Sequence, residues 1–267
     1  MLRLSFLRII MLIYLLLKAQ LCFSAELKKV TICWEDGLKP PYLMYKDGES
    51  KGTDSLTGVA VEIVQNIFKK NNIKAENVLL PWKRCLVEIQ NGNIDVVPNA
   101  SINSERQEYA FFTEEPLYST NIVLFYVKKR FKKKAVINKL EDFKNYTVGG
   151  YLGFNYKYFE NKVIMDAGST NRELLFQKLQ IGRFDFAIEQ LEVVNYIASK
   201  GLIKLNDLAY IPNAVMPKQN YYVMISKKSE NAAIIKKILD TGISESQKNN
   251  YINKLLNKFN KDAKNKP

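Results

Sequence analysis

The sequence predicts an α/β protein divided into two lobes. Short β-forming runs alternate with helical patterns along most of the chain, the mark of α/β layers. A strongly β-forming run at 118–127 reads as a long extended crossing, and a second β-forming run lies at 221–225. One phrase also occurs twice: a helix, a glycine cap and an Asp opening a buried strand, at 86–97 and again at 174–187. With 267 residues, 47% of them hydrophobic, the chain is long enough for one large domain or for two small lobes that each bury a core.

The first 25 residues are set aside from this count. Arg3 and Arg8 precede an unbroken apolar run, 9–17, and small residues follow at Ser24 and Ala25. That is the pattern of a signal peptide cleaved after Ser24 or Ala25, and the run is too short to span a bilayer as a helix. An uncleaved membrane anchor is the alternative.

The elements then follow in order. Residues 30–34 (Val-Thr-Ile-Cys-Trp) form a strand, followed by a Gly/Pro-rich loop over 35–42 and a polar loop over 46–57. Residues 58–68 place apolar side chains at helical spacing. A second strand spans 75–80. Pro81 opens a helix over 82–90, which Asn91-Gly92 caps. A third strand, 94–97, leads into the loop 98–106. Beyond the crossing at 118–127, a strand ends at 147–149 and the stretch 152–155 turns into a helix. A helix over 174–181 stops at Gly182, a strand covers 184–188, and a helix over 193–199 stops at Gly201. Two helices close the chain, at about 231–241 and 244–259, with fraying expected from Lys261.

Composition excludes several chemistries. There is no histidine, which removes Ser-His-Asp and Cys-His catalysis, histidine zinc sites and histidine proton shuttles. No cofactor and no metal is expected. Outside the signal segment only Cys33 and Cys85 remain, and an even pair in an oxidising compartment suggests a disulfide. The first lies near the end of the first strand and the second in the first turn of the helix after the adjacent strand, positions that bring their Cα atoms into bridging range. The net charge is +13 for the whole chain, and the signal segment holds three of the basic residues (Arg3, Arg8, Lys18) and no acid. Export argues against nucleic acid as the partner. The dense basic run at 128–134 reads as a solvated loop, with an anionic membrane face or an acidic partner patch as the functional option.

By this point the chain resembles the family 3 extracellular (periplasmic) solute-binding proteins, the amino-acid-binding type that serves ABC importers. The resemblance rests on Pro40-Pro41-Tyr42, on Thr57-Gly58-Val59-Ala60-Val61-Glu62, on Gly92-Asn93-Ile94-Asp95, on Asn103-Ser104-Glu105-Arg106 and on Phe111-Phe112-Thr113-Glu114-Glu115-Pro116. In the second half it rests on Leu140 to Gly149 and on Gly182-Arg183-Phe184-Asp185. Pro81-Trp82-Lys83-Arg84-Cys85-Leu86 is similar to a sub-branch of that family with poorly defined ligands.

The resemblance implies the type II two-lobed fold, each lobe a mostly parallel sheet flanked by helices, joined by two hinge crossings. The lobes fall at 26–119 plus 223–267 and at 128–216, with crossings at 120–127 and 217–222. It also implies a periplasmic, monomeric, non-enzymatic protein that closes around a small polar solute, an amino acid or related carboxylate, and delivers it to an ABC permease. A ligand-sensing module for a membrane receptor and a dehydratase-like enzyme are the alternatives on this scaffold. The ligand lies between the lobes, beyond the carboxyl ends of the strands, where open α/β sheets bind ligands generally.

Within that frame Arg106 matches the arginine that clamps a ligand carboxylate, since a planar guanidinium offers paired donors. Its replacement is expected to leave the stability of the ligand-free protein nearly unchanged. Asn99 and Ser101 share its loop. Asp36 and Lys39 fall on the first-strand loop, with Lys39 where amino-acid binders often carry an aromatic ring. Trp82 is placed to supply that aromatic wall, and Arg84 beside it faces either cleft or solvent. Phe154 and Asn155 match the turn laid over the carboxylate end of the ligand. The ammonium-binding Asp of the family falls at Gln190, next to Glu189. Either Gln190 meets something uncharged, or Glu189 has taken over.

Overall fold

Val30, Ile32, Cys33 and Trp34 give the run around them apolar side chains on both faces, and it forms strand β1 (Lys29–Glu35) inside a three-stranded parallel group. The computed structural model describes residues 27–46, 51–133, 135–152, 154–159, 162–213, 215 and 218–264. The expected signal segment and Pro217 of the second crossing lie outside them.

On one side of β1 lies β4 (Lys74–Leu80), in register from Lys29↔Lys74 to Glu35↔Leu80. On the other side lies β5 (Val96–Ala100), paired at Ile32↔Val96. The second parallel group is β10 (Phe186–Gln190), β8 (Thr147–Tyr151) and β9 (Ile164–Ser169). Two antiparallel strands join the groups: β7 (Tyr118–Val127), which pairs β10, and β12 (Lys218–Ser226), which pairs β5. They also pair each other from Lys218↔Asn121 to Tyr221↔Tyr118. The hydrogen-bonded path therefore runs β4-β1-β5-β12-β7-β10-β8-β9, with β6 (Ala110–Phe112) on β12 and β11 (Leu208–Pro212) on β7.

The repeated phrase has a shared physical task. The backbone N–H of Thr31 donates to the Asp95 carboxylate at 2.9 Å, and the Asp95 N–H returns a bond to the Thr31 carbonyl. In the second half the N–H of Thr147 donates to the Asp185 carboxylate at 2.9 Å, and the Asp185 N–H returns one to the Thr147 carbonyl. Each Asp thus anchors the start of the neighbouring parallel strand, and each follows a glycine with positive φ, Gly92 at 86° and Gly182 at 80°.

Helix packing follows the sequence pattern. The helix Val59–Lys70 buries Val59, Ala60, Val61, Ile63, Val64, Ile67 and Phe68. Its start needs Gly58, since at φ 118° a Cβ there would lie 2.5 Å from the Tyr42 carbonyl oxygen. This seats the helix against the turn at Pro41 and Tyr42, whose carbonyls accept from Val59 and Ala60. The apolar cores divide along the sheet path. One unites Val30, Ile32, Val59, Phe68, Val96, Val223, Ile235, Leu239 and Phe259. Two others draw on Val123, Phe125, Leu175, Phe184 and Leu208, and on Leu124, Phe143, Phe159 and Phe186.

Several expectations are corrected. The stretch 152–155 does not lead into an α-helix. A single 3₁₀ turn, Lys157–Phe159, follows, and the chain then enters β9. β9, β11 and the short pair β2 (Met44–Tyr45) and β3 (Leu56–Thr57) are strands the sequence did not reveal. The third strand begins at Val96, two residues late, because Asp95 turns its carboxylate back to Thr31. The closing helices are Ala232–Lys248 and Tyr251–Lys264, so helix persists where fraying was expected. Cys33 and Cys85 are bonded as expected, both fully buried and with Cα atoms 5.8 Å apart.

Candidate ligand-binding cleft

The carboxyl ends of strands from both halves converge on one cavity. Glu35 ends β1, Asn99 lies near the end of β5, Glu189 and Gln190 end β10, and Phe154 and Asn155 follow β8. The two joining strands floor it with Ile122, Gln219 and Tyr221. The space amounts to about 540 Å³ including the part open to solvent, and Lys39, Trp82, Ser101, Arg106, Tyr156 and Ile188 complete its lining.

Arg106 sits in the helix Ser104–Tyr109, whose N-cap Asn103 accepts the Arg106 backbone N–H at 2.8 Å. Arg106 as a whole is 5% exposed. Its Nη1 donates to the Ser101 carbonyl (2.8 Å) and to the Ser101 hydroxyl (2.9 Å). Its carbon lies 5.2 Å from the centre of the Trp82 ring. Ser101 therefore orients Arg106, and Trp82 backs it. Asn99 adopts φ 63°, a conformation Asn tolerates better than most residues. Its Oδ1 accepts from the Tyr118 hydroxyl at 3.0 Å, while its Nδ2 has no protein partner.

Lys39 is buried, and its ammonium lies 3.2 Å from Glu35. It also stands 4.3 Å from the Tyr221 ring centre and 5.1 Å from that of Phe154. Burial lowers its pKa, with the neighbouring Glu35 carboxylate opposing that shift. Lys39→Met is expected to cost about 3 kcal/mol, because it leaves Glu35 charged, buried and unpaired. The double replacement Glu35→Gln/Lys39→Met should recover most of that loss. Urea unfolding of the three proteins checks this, and a single variant no less stable than the double would refute it.

The structure adds Arg172, a residue the sequence reading missed. It begins the helix Arg172–Gln180, and its Nε lies 3.1 Å from Glu189. Its Nη1 crosses the cleft to the Leu38 carbonyl at 2.7 Å. Beside it, Gly37 admits the Tyr151 ring, whose hydroxyl would lie 2.1 Å from a Cβ at that position. Burial pushes the Tyr151 phenol up to about 12 and raises Tyr156 and Tyr221 further, so all three are neutral hydroxyls at pH 7. Gln190 is 1% exposed, and neither its Oε1 nor its Nε2 has a protein partner.

Of the residues singled out from the sequence, the cavity gathers Lys39, Trp82, Asn99, Ser101, Arg106, Phe154, Asn155, Glu189 and Gln190. It does not gather Asp36. That side chain is exposed because β1 has ended and the backbone turns there, with the Asp36 N–H donating to the Leu80 carbonyl and its own carbonyl accepting from Leu38. Arg84 faces solvent, paired with Glu88 at 2.6 Å. Glu35 joins the cavity as the partner of Lys39.

Two α/β halves with a polar cleft at their strand ends define a two-lobed solute-binding protein. Residues 30–262 match the model of the bacterial extracellular solute-binding proteins, family 3, and the chain belongs to that family. It is 27% identical over 230 residues to the L-cystine-binding protein TcyJ of Escherichia coli (strain K12), covering 84% of this chain and 80% of that one. It superposes with a TM-score of 0.70 on the amino acid ABC transporter substrate-binding protein AbpA from Streptococcus pneumoniae bound to L-arginine. The two are 18% identical, with 89% of this chain and 97% of that one covered. An ancestral amino-acid-binding protein described as a precursor of cyclohexadienyl dehydratase has the same fold, at a TM-score of 0.64 and 19% identity, covering 86% of this chain and 95% of that one.

Proposed function

We propose that the chain binds a small carboxylate-bearing solute between its lobes in the periplasm and hands it to an ABC permease. It does so as a monomer, with residues 1–25 removed on export. We place the lobes at 26–119 with 223–267 and at 128–216, with 120–127 and 217–222 as the hinge. Arg106 carries the reading. It is a buried guanidinium on the cavity wall with no carboxylate partner among the described residues, and it is oriented by Ser101 and Trp82. Such a group is matched by a ligand carboxylate. The relatives named for L-cystine and bound to L-arginine support a carboxylate-bearing ligand. Binding without catalysis is supported by Glu35 and Glu189, the cleft carboxylates among the described residues, each paired with a buried cation rather than held for proton transfer.

Mass spectrometry of the small molecules released on denaturing the native protein tests the ligand. A carboxylic acid is expected, and a ligand without one would refute the reading. Closure is tested by small-angle scattering on the refolded, ligand-free protein before and after that acid is returned. The Arg172 bond to Leu38 joins the halves and belongs to the closed form, so the radius of gyration should fall on binding. An unchanged radius would end the closure mechanism.

A further inference from the structure

We infer that the solute is a carboxylate with no α-ammonium group, carrying instead a hydroxyl or carbonyl that pairs with Gln190. The inference rests on the carboxylate reading of Arg106 and concerns the other end of the same ligand. In a cleft shielded from water, an ammonium needs a carboxylate that is free to receive it. Among the described residues the cleft has two, and each already faces a buried cation, although Glu35 Oε1 accepts no hydrogen bond. Glu189 receives the Arg172 Nε on Oε2 at 3.1 Å and the Gln190 backbone N–H on Oε1 at 2.9 Å. Glu35 lies 3.2 Å from the Lys39 ammonium.

The aromatic position is taken as well. Lys39 holds its own cation against the Tyr221 and Phe154 rings, where a ligand ammonium would otherwise gain cation–π attraction. An incoming ammonium at either carboxylate would meet a resident cation. Counting Arg172, three buried cations stand against two carboxylates among the described residues, an excess that favours an anion.

Gln190 is a cavity-lining group left open at the second lobe, along with the unpartnered Nη2 of Arg172. Its amide lines the cavity, is 1% exposed, and has neither polar atom bonded to protein. Burying both without a partner is costly, so the ligand is the natural source of one. An amide offers one acceptor and two donors but no charge. It satisfies a hydroxyl, or with Nε2 a carbonyl, and it cannot neutralise an ammonium.

Two experiments on the refolded, full-length mature protein decide this. The acid released from the native protein is treated with an amine-selective reagent. An unreactive acid is expected, and a primary amine would overturn the inference while leaving the Arg106 reading intact. Calorimetry then compares trios that share a carbon skeleton: L-alanine, L-lactate and pyruvate; L-glutamate, 2-hydroxyglutarate and 2-oxoglutarate; L-phenylalanine, phenyllactate and phenylpyruvate. Wherever a trio binds, the hydroxy or keto acid should be at least tenfold tighter than the amino acid, and Gln190→Asp should reverse that order. An amino acid that binds wild type as well as its counterparts overturns the inference. If no trio member binds and the released molecule carries no carboxylate, the Arg106 reading falls and takes this inference with it.

Discussion

Arg106→Ala is expected to weaken ligand binding by about 2–5 kcal/mol, roughly thirtyfold to several thousandfold in Kd. The size follows from burial. In a site closed to water, a charge-assisted paired contact outweighs its surface equivalent, and truncation leaves the ligand carboxylate without its counter-charge. Arg106→Lys should recover little, because an ammonium cannot bond Ser101 and a carboxylate with the same planar fork. Calorimetry of the three proteins with the released acid and with its amide measures the effect. An alanine variant within about threefold of wild type would remove Arg106 as the anchor. The structure corrects one expectation here. Stability of the ligand-free protein should also fall, by about 1–2 kcal/mol, since the guanidinium is buried, bonded to Ser101 and stacked on Trp82.

Opening the Cys33–Cys85 bridge should lower stability by more than that. The cysteines are 52 residues apart, and the chain-entropy model assigns about 4 kcal/mol to closing a loop of that length. For a chain of this size that corresponds to roughly 8–16 °C in Tm. The double variant Cys33→Ala/Cys85→Ala avoids leaving a lone thiol and is compared with wild type by calorimetry. Denatured, unreduced mature wild type should titrate no free thiols. A Tm shift under about 2 °C would show that the bridge contributes little. Its position adds a functional effect: Cys33 lies two residues before Glu35, and Cys85 shares a helix with Trp82. The bridge thus fixes the spacing between the first-strand loop and the aromatic wall.

Much of this was legible in the sequence because it depends on local signals. Pro81 and Gly92 bound their helix as read, and the apolar run ending at Ile188 marks the strand, which starts at Phe186 and runs two residues further through Glu189 and Gln190. What was not legible depends on partners distant in sequence. Residues 164–169 contain Asp166 and Gly168 and form a strand only through parallel pairing to β8. Arg172 reads as an ordinary first-turn residue behind the N-cap Asn171, and nothing local announces Glu189 or the Leu38 carbonyl as its partners. Asp36 was placed in the cleft by likeness to a loop, and a one-residue difference from Glu35 in where the strand stops puts it outside.

The place of β12 also sets the order in which the protein can be assembled during the export proposed above. Val223 and Ile225 of β12 complete a core begun by Val30, Ile32 and Val96, and that core also needs Leu239 and Phe259 near the end of the chain. A chain emerging amino end first cannot finish it until almost everything has crossed the membrane. The cores built on Phe125 and Phe186 draw on residues from Ile122 to Val215 and are available earlier. The half that comes second in sequence is therefore ready first, while β5 waits with an open edge. Cys33 and Cys85 have both emerged by then, so early oxidation staples the unfinished half through its most vulnerable interval. A product truncated before residue 218 would carry a complete second half on a β5 paired with β1 alone, its other edge open.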